Sequence, residues 1–92
     1  MTVHYVKSWS YLYAAAVAGV KTHDIRDRTE RDYKVGDTLV LQEFDQSTGR
    51  YSGREQRFEI TYITDRDVPC ALSSAVLARD YCILSITLLG EG

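Results

Sequence analysis

The sequence predicts a small protein of the α+β class that is mainly β, with about five strands and one helix near its N-terminus. Two segments carry the clearest strand patterns: residues 54–65 alternate apolar and polar side chains, and residues 81–89 are almost continuously apolar. Residues 11–18 are rich in alanine, which favours a helix. We therefore expect a single domain, residues 1–92, built as a partly closed β-barrel with the helix over one end.

The chain opens with a short predicted strand at residues 2–7. Its side chains alternate, with Val3, Tyr5 and Lys7 on one face and His4 and Val6 on the other.

A helix is predicted to follow at residues 11–18. Ser8 or Ser10 is expected to cap its start, and Gly19 is expected to end it in a left-handed conformation. The helix stripe expected to face the core consists of Leu12, Ala15 and Ala16.

The middle of the chain is predicted to hold two strands, a polar loop and a hairpin. The loop has no apolar period, whereas the hairpin segment DQSTGRYSG is rich in turn-forming residues. The predicted elements are a short strand at 22–26, a loop at 27–33, a turn at 35–37, a strand at 38–44 and the hairpin turn at 45–53.

The C-terminal third is predicted to contain the two best-defined strands. Residues 54–65 place Phe58, Ile60 and Tyr62 on one face, which we expect to be buried. Pro69 breaks any strand after that point, and residues 73–77 could form a single helical turn. In the last strand, which we expect to be central in the sheet, the apolar face consists of Cys82, Leu84, Ile86 and Leu88.

Composition limits the function classes. The net charge of −2 argues against binding long duplex DNA, although it allows a small cationic pocket. Cys70 and Cys82 form no CxxC motif, so we expect two reduced thiols and no metal site. The sequence has neither a Gly-rich phosphate loop nor a nucleophile elbow, and we expect no cofactor. No apolar run is long enough for a membrane span, so we expect a cytoplasmic protein.

The most informative stretch is the densely charged segment of residues 21–34, KTHDIRDRTERDYK. It follows twenty residues that contain one lysine and no acid. Such an abrupt change indicates either a solvated turn or a site.

The start of this stretch resembles a known motif. Residues 19–26, GVKTHDIR, are similar to the GxKxxxxR motif of ASCH domains, which belong to the PUA-like superfamily of small β-barrels associated with RNA. The likeness extends in order along the chain to an uncharacterised ASCH-like family of small bacterial and phage proteins, although Asp24 stands where that family favours glutamate. The matching blocks are residues 21–26, 31–33, 35–45, 48–54 and 81–86.

The resemblance implies a PUA/ASCH-like barrel that binds RNA, a nucleotide or a nucleoside. An ammonium or guanidinium can hold a phosphate or a base edge, and an exposed aromatic ring can stack on a base. The plainer alternatives are a solvated turn lysine at Lys21 and a structural ion pair between Asp24 and Arg26. The residues predicted to line the pocket are Lys21, Asp24, Arg26, Arg31 and Tyr51, with Glu43 as an additional carboxylate.

Two alternative functions remain open from the sequence. One ASCH branch is similar to amidohydrolases that deacylate acetylcytidine, and in that case Lys21 would be the nucleophile or base, with Asp24 and Glu43 as helpers. Lys21 matches the lysine of that branch, whereas Asp24 stands where the branch has threonine. The other alternative is a phage-type protein that binds a host protein or a signalling nucleotide.

Overall fold

A computed structural model describes residues 1–69 and 77–90 of the chain. It contains one helix and a five-stranded sheet, which confirms the mainly-β α+β class. The elements in chain order are β1 Val3–Trp9, α1 Ser10–Val17, β2 His23–Asp27, β3 Thr38–Asp45, β4 Arg50–Asp65 and β5 Tyr81–Leu88. The predicted helical turn at residues 73–77 lies almost wholly outside the described residues.

The sheet is a half-barrel whose two edges are β1 and β2. The strand order is β1-β3-β4-β5-β2, in which β1 runs parallel to β3 and the other neighbours are antiparallel. The last strand, β5, lies between β4 and β2, which confirms its predicted central position. We call the line along which β1 and β2 face each other the seam. Side chains of β2 and of the loop that follows it donate hydrogen bonds to carbonyls of β1 across this line.

One core fills the concave side of the sheet beneath the helix. Strand alternation sends every second side chain inward, and α1 adds Tyr13 and Ala16 from above. The buried cluster consists of Val6, Tyr13, Ala16, Leu39, Leu41, Phe58, Ile60, Cys82, Leu84 and Ile86.

The helix differs from its prediction at the start and on its buried face. No serine caps it, because β1 continues to Trp9, which becomes the N-cap without a side-chain bond. Ser8 is therefore a buried strand residue, and Ser10 reaches the carbonyl of Phe44 instead. The predicted core stripe missed Tyr13, which is buried, whereas Leu12 is only half-buried.

The helix end was predicted correctly. Gly19 has a φ of 81°, and its N–H donates to the carbonyl of Ala16 while Val20 N–H donates to Ala15. This pair of bonds is the Schellman arrangement, which needs a left-handed residue that glycine supplies at low cost. The chain then reverses direction, and Lys21 lies directly beyond the helix end.

A bulge in β4 overturns the predicted burial of Tyr62. Ile60 pairs with Ile86, but Tyr62 pairs with Ser85, so β4 has one extra residue at this point. Side chains after the bulge therefore change face. Tyr62 is 54% exposed, and Ile63 packs against the core in its place. On β5, Leu88 was also predicted to face the core but is 39% exposed at the strand end.

The N-terminus is fastened to the turn before β3 by a buried polar cluster. His4 Nε2 lies 2.8 Å from Asp37 Oδ2, and the backbone N–H groups of Thr2 and Lys34 donate to the same carboxylate. Burial raises the pKa of Asp37, but the bonds from His4 and the two amides outweigh it and hold the pKa below its ordinary value. Asp37 is therefore an ionised carboxylate that joins three segments.

Candidate functional site

Lys21, Asp24 and Arg26 converge into one ion cluster at the seam. Asp24 Oδ1 accepts from Lys21 Nζ at 3.1 Å, and Asp24 Oδ2 accepts from Arg26 Nε at 2.6 Å. All three side chains are largely buried, with exposed fractions of 16%, 11% and 21% in chain order. The plainer prediction of a fully solvated turn lysine is therefore wrong.

Strand geometry explains why this cluster forms. On β2, Asp24 pairs with the buried Leu84 and Arg26 pairs with the buried Cys82, so both side chains share the inner face at the open edge of the sheet. Lys21 reaches the same place from the helix end, where its ammonium also donates to the carbonyl of His23. A buried carboxylate with a cation on each side is a stable arrangement, because each oxygen is satisfied.

Two arginines bind the opposite edge strand. Arg26 Nη2 donates to the carbonyl of Lys7 at 2.8 Å, and Arg31 Nη2 donates to the carbonyl of Tyr5 at 3.0 Å. These two carbonyls lie two residues apart on β1, so they belong to the side of the edge strand that faces away from β3. Arg31, which was predicted to line the pocket, is exposed in this structure and ties its loop to β1.

Three adjoining hollows lie along the seam. The tryptophan hollow, about 300 Å³, is lined by Lys7, Ser8, Trp9, Leu12, Asp24, Ile25 and Arg26. The lysine hollow, about 240 Å³, is lined by Leu12, Lys21, His23, Asp24 and Ile25. The tyrosine hollow, about 290 Å³, is lined by Tyr5, Val6, Lys7, Arg26, Asp27, Glu30, Arg31, Tyr33, Gln42 and Tyr51.

The structure brings five of the predicted site residues to the seam and places the sixth, Glu43, in a neighbouring hollow that Tyr51 also lines. Lys21 and Asp24 line the lysine hollow, Asp24 and Arg26 the tryptophan hollow, and Arg26 the tyrosine hollow as well. Arg31 and Tyr51 also line the tyrosine hollow. Glu43, in contrast, lines a hollow of about 220 Å³ beside the β3–β4 hairpin, which we call the hairpin hollow.

Glu43 is held by the hairpin rather than by Lys21. Arg54 Nε and Ser52 Oγ both donate to its carboxylate, at 2.7 and 2.6 Å, and these bonds lower the pKa of Glu43. A distortion of the β3–β4 pairing opposite Glu43, which includes Gly53 at a φ of 94°, turns both donors toward it. The carboxylate is therefore ionised and fixed at neutral pH.

Aromatic rings border the seam on both sides. Trp9 is 44% exposed, and Tyr51 is 53% exposed with its ring 5.1 Å from that of Phe44 in an edge-to-face contact. Tyr33 is more enclosed, and burial raises its pKa, so its hydroxyl stays protonated at neutral pH. Cations and accessible rings thus lie close together along the seam.

The family of the chain can be assigned from a match to residues 3–86, from the first strand almost to the end of the last. The matching family is described as "Domain of unknown function (DUF3850)". The chain belongs to this family. No curated protein matches the chain.

The sequence prediction missed several residues of this DUF3850 domain's site. Lys7 lines two hollows, and its ammonium lies 4.2 Å from the centre of the Phe44 ring. Its place on the exposed face of β1 was readable from the alternation, but the sequence could not reveal that β1 lies opposite β2. Leu12 and Ile25, expected to be ordinary core and strand residues, form apolar walls of the tryptophan and lysine hollows.

Other classes of site receive no support from the described part of the chain. Among residues 1–69 and 77–90, no group of three or more His, Cys, Asp or Glu side chains is placed to hold a metal ion. Within the same ranges, no helix combines the length and the apolar character needed to cross a bilayer.

Proposed function

We propose that this domain is a binding module for a nucleoside or nucleotide, either free or as part of a short RNA, and that the ligand occupies the hollows along the seam. The observation that carries the proposal is the tryptophan hollow. There a half-exposed indole ring, Trp9, borders the same cavity as Lys7 and Arg26. A ring that can stack on a base beside cations that can hold a phosphate is the usual composition of single-stranded nucleic acid sites.

The charge of the tryptophan and lysine hollows supports an anionic ligand. The tryptophan and lysine hollows are lined by three cations, Lys7, Lys21 and Arg26, and by one acid, Asp24, although the whole chain has a net charge of −2. A local excess of cations in an acidic protein favours a small target over a long polyanion, because the rest of the surface repels phosphates.

The size of each hollow supports a small ligand. Volumes of about 240 to 300 Å³ lie at or just below the lower limit of the roughly 300–1,000 Å³ typical of small-molecule sites. One hollow therefore suits one nucleoside. The resemblance of residues 19–26 to the ASCH motif points to the same class of ligand.

Within this proposal, Asp24 is a positioning residue. Both of its oxygens already accept from Lys21 and Arg26, so its contribution is to hold the two cations in place rather than to contact a base. Lys21 acts as a cation, since its ammonium donates to a carboxylate and to a carbonyl. A lysine engaged in this way fits charge stabilisation better than nucleophilic attack, which needs the neutral amine.

The fluorescence of Trp9, the single tryptophan of the chain, provides a direct test. Titration with a panel of nucleoside monophosphates is expected to quench it, because a stacked base changes the environment of the indole. Lys7→Ala should weaken binding about tenfold, the effect of losing about 1.4 kcal/mol from one charge-assisted contact in the tryptophan hollow, and Lys21→Ala is compared with it to test the adjoining lysine hollow. Lys34→Ala is the matched control, because Lys34 is 69% exposed and pairs with Asp32 away from these hollows.

The same samples separate the competing functions. If no nucleotide quenches Trp9, or if Lys7→Ala binds as tightly as the unaltered protein, the proposed site is wrong. Incubation with N4-acetylcytidine tests the amidohydrolase alternative, for which release of cytidine by the unaltered protein and not by Lys21→Ala would be decisive.

A further inference from the structure

The tryptophan and tyrosine hollows share one wall. Lys7 and Arg26 line both cavities, so they stand between Trp9 on one side and Tyr51 on the other. Arg26 is fixed in this position by its bonds to Asp24 and to the carbonyl of Lys7. A guanidinium has five N–H groups, and the contacts described for Arg26 use two of them.

The exposed face of β1 also places a cation between two aromatic rings. Tyr5, Lys7 and Trp9 are all exposed and alternate with the buried His4, Val6 and Ser8. Side chains on one face of a strand recur every two residues, or about 7 Å. The row therefore reads ring, cation, ring, which is the order of base, phosphate and base in one step of a single strand.

The acids near the seam limit the kinds of phosphate ligand that fit. Asp27 and Glu30 line the tyrosine hollow together with Arg31, whereas neither lines the tryptophan hollow. A chain of phosphates extending from the shared wall into the tyrosine hollow would meet these carboxylates. A base carries no charge and would instead meet the rings of Tyr5, Tyr33 and Tyr51.

On these grounds we propose that the seam binds a dinucleotide step of single-stranded RNA. One base stacks on Trp9, the next base occupies the tyrosine hollow, and the linking phosphate lies against Lys7 and Arg26. This inference rests on the proposed function, and it specifies the ligand as two nucleotides rather than one nucleotide or a nucleoside triphosphate.

The test compares ligands that share a base, read by Trp9 fluorescence: AMP, ATP and the dinucleotide ApA. ApA is expected to bind more tightly than AMP by roughly five- to 150-fold, the effect of stacking one additional base. ATP is expected to bind more weakly than ApA. Equal binding of AMP and ApA, or tighter binding of ATP, would overturn the dinucleotide inference and leave the proposed function standing. If none of the three ligands quenches Trp9, both proposals fail.

Variants locate the second base. Tyr51→Ala should lower the affinity for ApA and so remove its advantage over AMP. Tyr5→Ala serves as a second variant with the same expectation, in case loss of the Tyr51–Phe44 contact disturbs the hairpin. Tyr62→Ala is the matched control, because Tyr62 is 54% exposed and lines none of the seam hollows. If Tyr51→Ala and Tyr5→Ala both retain the full preference for ApA, the second base does not occupy the tyrosine hollow.

Discussion

Replacing Arg26 with methionine should destabilise the fold, because this side chain pairs with the buried carboxylate of Asp24 and also ties β2 to β1. The substitution keeps a long, unbranched side chain and removes two hydrogen bonds, one to Asp24 and one to the carbonyl of Lys7. The bond to Asp24 lies within β2, whereas the bond to the carbonyl of Lys7 joins β2 to β1 at the opposite edge of the sheet.

The size of the effect follows from the surroundings of each bond. The carboxylate of Asp24 is 11% exposed, so losing its 2.6 Å charge-assisted bond costs about 1.5–3 kcal/mol. Lys21 remains paired with Asp24, which keeps the cost well below that of a buried carboxylate left alone. The bond to the carbonyl of Lys7 is exposed, and water can replace it. We therefore expect the free energy of unfolding to fall by about 2 kcal/mol.

Thermal and urea unfolding followed by circular dichroism measure this change. For a domain of this length, about 2 kcal/mol corresponds to a decrease in Tm of roughly 8–16 °C. Arg57→Met is the matched control, because Arg57 is exposed on β4 next to the buried Phe58, and its replacement should shift Tm by much less. If Arg26→Met and Arg57→Met unfold at the same temperature, then the pairing of Arg26 with Asp24 does not stabilise the fold.

Two further predictions concern the polar cluster at the N-terminus and the hairpin. Asp37 has an ordinary pKa of 3.8 that folding lowers, so its stabilising effect is complete above about pH 4 and is lost as the pH falls through the lower, folded-state pKa. Asp37→Asn should therefore reduce the midpoint of urea unfolding at pH 7. If the difference in midpoint between Asp37→Asn and the unaltered protein fails to narrow at pH 3, this prediction is wrong. Gly53 has a φ of 94° and no atom within 4 Å of an added Cβ, so Gly53→Ala should cost about 1–2 kcal/mol through backbone strain alone. Gly53→Asn should cost less because asparagine tolerates left-handed backbone, and equal Tm values for Gly53→Ala and the unaltered protein would show that the hairpin can relax.

Local patterns were sufficient to predict most of the secondary structure. Alternation located β1 and β4, runs of apolar residues located β3 and β5, and Gly19 correctly marked the helix end, because such patterns and left-handed turns depend on neighbouring residues. The errors had non-local causes. Tyr62 was wrongly predicted to face the core. A bulge depends on the pairing of two strands, so it cannot be recognised from the alternation of one strand. The missing serine cap has the same origin, since pairing with β3 extends β1 to Trp9.

The candidate site, too, was predicted from the sequence only in part. The sequence by itself determined that the charged segment after Gly19 holds Lys21, Asp24 and Arg26, and that β2 places the acid and the guanidinium on one face. Only the tertiary structure decided that this face lies opposite β1, that Lys7 and Trp9 complete the hollows, and that Glu43 belongs to the hairpin. The physical reason is that residues 4 to 9 and 21 to 31 meet through the curvature and strand order of the whole sheet, and no short-range pattern encodes either of these.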